Sequence, residues 1–250
     1  KALRWACENG HLAVAQWLTE RFSLTAEDAR SDDNYALRWA CRNGHLAVAQ
    51  WLANKFALTA ADARNYKNDA LRSACGGGHL ALAQWLAKEF ALTAEDARVD
   101  DNHALRWVCE NGHLATAQWL VKEFSLTAED ARAVSNCALL WACMRGHLEM
   151  AQWLTKEFGL TTKDARACDN YGLRWVCECG HLLIAQWLVK EFALTAEDAR
   201  AGDNYALRWA CRNGHLAVAQ WLVKEFALTI TDVRYWDNRA LRDARENGLL

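Results

Sequence analysis

The sequence predicts an all-α solenoid built from helical repeats. The dipeptide Gly-His returns with a constant spacing of 34 residues, helix-forming segments flank each copy, and Pro is absent from the chain. The Gly residues of these dipeptides stand at positions 10, 44, 78, 112, 146, 180 and 214, and Gly248-Leu249 follows at the next step. A period in this range is typical of stacked repeats, in which each unit buries its apolar face only against its neighbours.

The period divides the chain, read as one array, into seven full repeats, numbered one to seven, and the start of an eighth. Their bounds are 1–34, 35–68, 69–102, 103–136, 137–170, 171–204 and 205–238, with 239–250 as the partial copy. In that copy Asp243, Arg245 and Leu249 replace the Trp, Cys and His of the full repeats, which predicts a polar C-terminal cap. Repeat one shows no such change, so we expect further repeats or a capping element before Lys1.

Two main helices are predicted in each repeat, as repeat two illustrates. Asn34 precedes a helix-forming segment that ends at Asn43-Gly44, and a second segment continues from the following His to Phe56. Asn is a preferred N-cap and Asn-Gly a turn, so we predict a helix capped by Asn34, a tight turn and a second helix. The expected buried face of the second helix consists of Leu46, Ala49, Leu52 and Phe56.

A short third helix is predicted to close each repeat. The segment Leu-Thr-Ala-Glu-Asp-Ala-Arg follows the second helix in repeat one, and close variants follow it in the other full repeats. Thr25 with Asp28 three residues later forms the pattern of a capping box, in which side chains satisfy the first amides of a helix.

Comparison of the repeats within the chain separates a framework from a variable strip. The first-helix Leu, the Gln-Trp-Leu of the second helix and the Asp-x-Arg of the third are identical in all seven full repeats, so we assign them to stacking. The three residues before each Asn, the residue after it and the two residues before each Gly-His change from copy to copy. We expect these variable positions to share one side of the array.

The recurring segment resembles the ankyrin repeat. Residues 36–52 read Ala-Leu-Arg-Trp-Ala-Cys-Arg-Asn-Gly-His-Leu-Ala-Val-Ala-Gln-Trp-Leu, and the small-residue pair, the Gly-His-Leu turn and the second helix are similar to that family in all seven full repeats. Tetratricopeptide repeats share the length, but their Trp, Gly-Tyr and Pro pattern does not fit. Ankyrin repeats have Thr-Pro-Leu-His where this chain has Tyr35-Ala36-Leu37-Arg38, and Gly at the β-turn where it has Asp33. We therefore expect an ankyrin-like solenoid in which the short third helix replaces the β-hairpin finger.

Composition argues against several classes of protein. The formal net charge is −2, so the chain as a whole does not attract nucleic acid or an anionic membrane. No apolar stretch approaches the roughly 18 residues of a membrane span, and no secretory signal is recognisable. Each titratable group of the framework is copied in similar surroundings, whereas an active site needs unlike groups that converge once. We expect no enzyme, no membrane span and no nucleic-acid partner.

Trp and Arg each form two columns along the array. Rows of aromatic rings bind single-stranded nucleic acid, but burial of about 150–250 Å² by each indole favours a packing role. The Arg columns begin at Arg4 and Arg30, and Leu140 interrupts the first. A row of guanidiniums could follow a polyanion, but the near-neutral charge favours pairing with the Asp column. Asp28 and Arg30 cannot face each other on a helix, so such pairs must join different repeats or bind backbone ends.

A Cys stands four residues before each repeated His, as in Cys41 and His45. Ligands of one zinc lie within about 4.6 Å of each other, whereas packed helices lie about 8–10 Å apart, so we expect no metal and no cofactor. The Cys is interpreted as a small buried hydrophobe, and the His as hydrogen-bonded across its turn. Ten Cys without a disulfide pattern indicate a reducing compartment, the cytoplasm or nucleus. Three Cys at variable positions are interpreted as thiols of no special role, with a redox or metal site as the alternative: Cys137, Cys168 and Cys179.

A variable strip on a constant framework favours a protein-binding scaffold or adaptor. A structural component of a larger assembly and a polyanion-binding array are the alternatives. The resemblance implies that partners contact first-helix faces and finger tips. The candidate partner-binding residues are Tyr35, Arg42, Tyr66, Lys67, Asp69, Asp100, His103, Glu110, Tyr171, Tyr205 and Arg212.

Repeat three is expected to be a soft joint. Ser73 replaces the first-helix Trp, and Gly76-Gly77-Gly78 ends that helix. Loss of a core Trp costs roughly 3–5 kcal/mol, and each interior Gly up to about 1 kcal/mol. We therefore expect residues 69–82 to exchange their amide hydrogens earlier than the equivalent residues of repeats four and six.

Overall fold

The computed structural model describes residues 1–232 and Arg245. The predicted C-terminal cap over residues 239–250 therefore lies outside the described residues, apart from Arg245. Residues 1–232 form α-helices and no β-strand. The helices are α1 (Ala2–Glu8), α2 (Leu12–Phe22), α3 (Ala26–Arg42), α4 (Leu46–Phe56), α5 (Ala60–Ala63), α6 (Asn65–Gly76), α7 (Leu80–Glu89), α8 (Ala94–Glu110), α9 (Leu114–Glu123), α10 (Ala128–Met144), α11 (Leu148–Phe158), α12 (Thr162–Ala165), α13 (Ala167–Glu178), α14 (Leu182–Glu191), α15 (Ala196–Arg212) and α16 (Leu216–Glu225).

The chain divides into two compact units, Lys1–Asp130 and Ala131–Leu250, called the first and second unit below. In the first unit the first main helices pack against one another in chain order, since α1 contacts α3, α3 contacts α6 and α6 contacts α8. In the second unit α13 contacts α15 in the same way. These first helices also contact the second helix of their own repeat, as α3 does with α4 and α15 with α16. The predicted stacking of helical repeats is confirmed within each unit.

The core between repeats consists of small and branched apolar side chains. In repeat two, Leu37 of the first helix and Ala49 and Leu52 of the second are at most 1% exposed, and Phe56 is 5% exposed. Leu46, which shares the predicted face, is only partly buried. The helical period therefore identified the buried face of the second helix except at its first turn.

The indoles lie at the margin of this core, which corrects the expectation that they are buried stacking residues. Trp5 and Trp17 are 62% and 57% exposed, and the other indoles that the structure describes are partly exposed. Each second-helix Trp packs edge-on against the Phe five residues later, as Trp51 does against Phe56 with ring centroids 5.7 Å apart. The Gln before it is exposed in five of the seven full repeats, so stacking does not explain its identity.

The Thr-x-x-Asp capping box is confirmed. In repeat two the amide and hydroxyl of Thr59 donate to Oδ2 of Asp62, at 2.7 and 3.0 Å. Among repeats one to six, whose third segments are fully described, a separate short helix follows only in repeats two and five, where it is α5 and α12. In repeats one, three, four and six the segment is continuous with the next first helix across a kink, as in α3. The short third helix is therefore not confirmed as an independent element of every repeat.

A left-handed turn precedes the first helix from repeat two onwards, and this corrects the N-cap role predicted for Asn34. Asp32, Asp33 and Asn34 have φ of 52°, 56° and 58°, a conformation that costs most residues roughly 1–2 kcal/mol each but suits Asn and Asp. Equivalent turns end at Asn residues 68, 102, 136, 170 and 204. Nδ2 of Asn68 donates to the backbone oxygen of Asp96 at 3.0 Å. The Asn therefore tolerates the turn and, in this repeat, also bonds to the next one.

The Gly-His dipeptide is explained by a contact between neighbouring repeats. Gly44 has φ of +77°, and a Cβ there would lie 2.6 Å from the imidazole of His79 in the next repeat. The same approach occurs in the pairs Gly10 and His45, Gly78 and His113, Gly146 and His181, and Gly180 and His215. Nε2 of His79 bonds to the backbone oxygen of Arg42 at 3.1 Å. This His is therefore bonded to the preceding repeat, and not across its own turn as predicted.

In repeats one to six, an arginine near the end of the repeat binds an aspartate of the next repeat. Nε and Nη2 of Arg30 donate to the two carboxylate oxygens of Asp62, at 2.7 and 3.0 Å. The equivalent pairs, with Nε–Oδ1 distances of 2.5–2.8 Å, are Arg64–Asp96, Arg98–Asp130, Arg132–Asp164, Arg166–Asp198 and Arg200–Asp232. The predicted pairing of the Arg and Asp columns between repeats is confirmed.

These bonds lower the pKa of the aspartates. Burial by itself raises the pKa of Asp62, but hydrogen bonds from Arg30 and Thr59 stabilise the carboxylate more, so its pKa lies below the ordinary value. The pKa of Asp232 is lowered to about 2, above all by the hydrogen bond from Arg200. A lowered pKa stabilises the fold above the unfolded-state pKa of about 3.9, and this stabilisation is lost as the pH falls through the folded-state pKa.

Repeat three is more closely packed than its glycines suggest. A Cβ at Gly76 would lie 2.4 Å from the indole of Trp107, and one at Gly77 would lie 2.5 Å from the imidazole of His79. Ser73 is 1% exposed. The Trp that it replaces is only partly buried in the neighbouring repeats, so the cost estimated for loss of a core Trp is too large. Early hydrogen exchange in residues 69–82 stays a prediction, which now depends on the glycines and not on the loss of a buried Trp.

We expect Gly44→Ala to destabilise the protein by about 2–3 kcal/mol, because Ala is strained at this φ and its Cβ displaces His79 from its hydrogen bond. Gly159→Ala is the matched control. Gly159 has φ of +56°, nothing within 4 Å of an added Cβ, and Ala at the equivalent positions 57 and 91. Urea unfolding of both variants measures the difference, and equal effects would contradict the role of the His contact.

We expect Gly172→Ala to stabilise the protein by about 1 kcal/mol, because Ala is the better helix former and fills space. The other repeats have Ala at this position. A cavity of about 20 Å³ lies beside Gly172, lined in part by Leu139, Cys143 and Tyr171. An added Cβ would meet nothing nearer than the backbone oxygen of Ala165, at 3.9 Å. A lower urea midpoint for the variant would disprove this account.

We expect Asp62→Asn to destabilise the protein at neutral pH by about 1–2 kcal/mol, the sum of a lost cap and a half-exposed ion pair. The deficit should shrink as the pH falls from about 5 to about 2, because wild-type Asp62 then becomes protonated. Asp28→Asn is the control, since Asp28 bonds to Thr25 but is exposed, and its effect should be smaller. Urea titrations at several pH values test this; a deficit for Asp62→Asn that does not change with pH would argue against the ion pair.

Candidate partner-binding surface

The first arginine column holds the left-handed turns in place. Nε of Arg38 donates to the backbone oxygen of Asp33 at 2.7 Å, and Nη2 donates to that of Asp32 at 3.2 Å. The arginines that bond to equivalent carbonyl groups are Arg72, Arg106, Arg174 and Arg208. In repeat five Leu140 takes this place. The members of both arginine columns within residues 1–232 thus bind groups of the protein itself.

The candidate residues of the first unit lie on the first main helices and on the left-handed turns before them. Tyr35 and Arg42 belong to α3, Tyr66, Lys67 and Asp69 to α6, and Asp100, His103 and Glu110 to α8. Ring contacts and ion pairs join most of these residues into one surface, which we call the variable strip of the first unit. Glu110 is half-buried at the end of α8.

Tyr35 is largely used within the protein. Its hydroxyl donates to the carboxylate of Glu8 at 2.9 Å. Its ring stacks on Trp39, with centroids 5.3 Å apart, and the Arg4 guanidinium lies 5.6 Å from the ring centroid. Burial and the Glu8 carboxylate raise the pKa of Tyr35, so its hydroxyl remains a donor. The residue therefore connects repeats one and two.

Tyr66 is the most exposed aromatic residue among the candidates of the first unit. Its side chain is 60% exposed, at the first position of the left-handed turn in α6. The Arg38 guanidinium lies 4.5 Å from the ring centroid, which leaves most of the ring open to a partner. Tyr and Arg combine large contact area with polar groups and often dominate interface energies.

The charged candidates form an ion network across repeats two and three. Asp69 binds Arg38 at 3.2 Å and Arg72 at 3.4 Å. Asp100 binds Arg72 at 3.0 Å and Lys67 at 2.7 Å. The Lys67 side chain remains 67% exposed, so it can still meet a partner. This network fixes the carboxylates in position and balances charge within the strip.

His103 packs edge-on against Trp107, with ring centroids 5.5 Å apart. Burial lowers the pKa of His103, and the neighbouring Arg72 and Arg106 guanidiniums lower it further. The imidazole is therefore neutral near neutral pH, although Asp100 and Asp69 act in the opposite direction.

The candidates of the second unit form a similar group. The Arg174 guanidinium lies 5.8 Å from the ring centroid of Tyr171 and 4.4 Å from that of Tyr205. The Tyr205 hydroxyl donates to Glu178 at 2.6 Å, and burial together with this carboxylate raises its pKa. Arg212 lies over the Trp209 ring at 4.4 Å.

Several residues of these surfaces were not among the predicted candidates. Trp39 stacks on Tyr35 and Trp107 packs edge-on against His103, while Glu8 and Glu178 accept tyrosine hydrogen bonds. Helical spacing gave a usable signal, because Tyr35 and Trp39 are four residues apart and therefore adjacent on one helix face. This pairing was not predicted, because the Trp residues had been assigned to the core.

The cysteines offer no reactive group in the core. Burial raises the pKa of the Cys7 thiol to about 12, and it raises the pKa values of the fully buried column thiols still further: Cys41, Cys75, Cys109, Cys143 and Cys177. The predicted role as small buried hydrophobes fits this burial. Cys168 is exposed, and Cys137 and Cys179 are half-buried. Across residues 1–232, no three His, Cys, Asp or Glu side chains are grouped to hold a metal ion.

No helix in the described part of the chain is both long and apolar enough to cross a bilayer. No curated protein matches the chain. Among solved structures, the crystal structure of the human ASB11 ankyrin repeat domain is similar in fold, with a TM-score of 0.61 and 17% sequence identity over 92% of this chain and 99% of that one.

The family model for ankyrin repeats, which spans three copies, matches residues 3–96, 71–164 and 139–233. These matches cover nearly all of the described repeats, and they agree with the repeat stacking and the similarity in fold. Ankyrin repeats are in general protein–protein interaction modules and are typically not enzymes. The chain belongs to the ankyrin repeat family.

Proposed function

We propose that this protein is a non-enzymatic scaffold or adaptor that binds a protein partner through the variable strip. The observation that carries the proposal is the separation of the two residue sets. The framework residues, apart from the exposed Gln and the half-exposed Trp, pack between repeats, whereas the copy-specific residues meet on first helices and left-handed turns. A rigid framework with a varied surface is what recognition of a macromolecule requires.

The ion pairs favour a protein over a polyanion. In six described junctions the guanidinium of the second arginine column donates two hydrogen bonds to an aspartate, as Arg30 does to Asp62. The first column bonds to backbone oxygens of the left-handed turns, as Arg38 does. A polyanion would have to displace these partners, and the net charge of −2 provides no general attraction.

The cysteines support a reducing compartment, cytoplasmic or nuclear, as the place of action. Six of the column thiols are buried, and they form no disulfide in the structure: Cys7, Cys41, Cys75, Cys109, Cys143 and Cys177.

A structural role in a larger assembly remains the second candidate and would require the same surface to bind a stable subunit. Co-elution with one partner at fixed stoichiometry during size-exclusion chromatography would favour it.

We expect Tyr66→Ala to weaken binding of the partner at least about fivefold, because it removes an exposed aromatic anchor. Crosslinking and mass spectrometry first identify the partner, and calorimetry then compares variants with wild type. Lys88→Ala and Glu89→Ala on the exposed end of α7 are the controls and should leave the affinity unchanged.

Tyr35→Ala and Tyr205→Ala are less clean tests, because both residues hold neighbouring repeats together through Glu8 and Glu178. They should lower stability as well as affinity, which urea unfolding detects. Loss of binding in the α7 variants with full binding by Tyr66→Ala would show that the surface is assigned to the wrong face.

A further inference from the structure

One arginine side chain reaches across repeat three. The Arg42 guanidinium lies 4.8 Å from the ring centroid of Trp39 and 5.8 Å from that of Trp107. Trp39 belongs to repeat two and Trp107 to repeat four. Two indoles from repeats that are not neighbours therefore face a single cation.

The space for this arrangement comes from two small residues in repeat three. Ser73 stands where the other full repeats have Trp, so no indole separates Trp39 from Trp107. Gly76 lies directly under the Trp107 ring, where a Cβ would approach to 2.4 Å. Because these two residues are small, the Trp107 ring packs directly against Gly76 on α6. The Arg42 guanidinium lies between the two indoles, and we call this place the tryptophan slot.

Arg42 can leave this slot without disturbing the fold. It is the last residue of α3 and its side chain is exposed. Its backbone oxygen is held at 3.1 Å by Nε2 of His79. Rotation about the side-chain bonds therefore removes the guanidinium while the backbone stays in place.

We propose that the tryptophan slot binds an arginine side chain of the protein partner, and that Arg42 occupies the slot when no partner is bound. This inference rests on the proposed function, since it names the side chain that the variable strip recognises. Arg42, which occupies the slot in the structure, shows that a guanidinium group fits between the two indoles. A planar guanidinium is weakly hydrated and stacks on indole faces, where the ring quadrupole attracts its charge.

The slot lies within the variable strip. Trp39 also stacks on Tyr35, and Trp107 contacts His103, whose lowered pKa keeps a further positive charge away from the slot near neutral pH. A partner arginine that enters the slot would therefore lie beside two candidate partner-binding residues. Displacement of Arg42 lowers the apparent affinity of the slot, because only the open fraction can bind.

The test uses the full chain and a small probe, N-acetyl-arginine N-methylamide, with the uncharged citrulline analogue as the matched probe. Ligand-observed NMR titrations measure the dissociation constants. Arg42→Ala should bind the arginine probe at least about fivefold more tightly than wild type, because the competing guanidinium is gone. The citrulline probe should bind the same variant at least about fivefold more weakly than the arginine probe.

A second set of variants removes one of the two indoles that form the tryptophan slot. Trp107→Leu in the Arg42→Ala background should abolish the gain, and Trp39→Leu serves as an alternative if circular dichroism shows a loss of helix. Arg21→Ala is the control, since Arg21 is an exposed arginine that lies over the Phe22 ring at 5.9 Å and is not among the candidate partner-binding residues; this variant should bind the probe like wild type.

Equal affinity of wild type and Arg42→Ala, equal affinity for both probes, or retention of the gain after removal of either indole would overturn the proposal. Such a result would leave the proposed function standing, because the probe experiment does not involve the partner. Conversely, an unchanged partner affinity in Tyr66→Ala contradicts the surface assignment without affecting probe binding.

Discussion

From repeat two to repeat seven, one carboxylate in each repeat connects the local structure of the chain to the stacking of its repeats. Oδ2 of Asp62 accepts the amide and hydroxyl of Thr59 and thereby starts the third segment, while Oδ1 accepts Nε of Arg30 from the repeat before. The position of a helix start is thus fixed relative to the neighbouring repeat. The left-handed turn and the first helix follow from that point, so their placement depends on this aspartate.

The stack is held mainly by small residues and by directed polar contacts. Ala and Cys are among the most completely buried residues of the core, as Ala49 and Cys41 are in repeat two, both at 0% exposure. The glycine of each Gly-His pair admits the imidazole of the next repeat. Large aromatic rings remain at the margins, where they are available for contacts on the surface. This division explains how a chain with fourteen Trp residues has a core that contains none of those the structure describes.

Features that depend on local sequence were predictable. The two main helices, the capping box and the ankyrin resemblance follow from the period, the turn residues and the side-chain spacing. The pairing of Arg30 with Asp62 was predictable in kind, because two residues that are two apart on a helix must find partners elsewhere. The stacking role was correctly assigned to Leu37.

Features that depend on the distance between repeats were not predictable. Asn is favoured both at N-caps and in the left-handed conformation, so the sequence could not show which of the two Asn34 adopts. Its backbone angles in the structure show the left-handed conformation. His79 appeared to bond within its own turn, since no pattern indicates that the oxygen of Arg42 is near. The hydrogen bond from the Tyr35 hydroxyl to Glu8 of the preceding repeat was not predicted. Each case needs the offset between adjacent repeats, which a one-dimensional period does not contain.

The contact between Arg42 and the two indoles sets a limit on how the array can change in length. Adjacent repeats are joined through recurring residue types, namely the Arg–Asp ion pairs, the buried Asn and the Gly-His pairs. Duplication or deletion of a 34-residue unit therefore creates a junction that is already complementary, and unequal recombination could lengthen or shorten the gene without new interface mutations. The Arg42 contact spans three repeats, so a unit inserted between Trp39 and Trp107 would separate the two rings. Repeats two to four thus form an indivisible block within an otherwise modular chain.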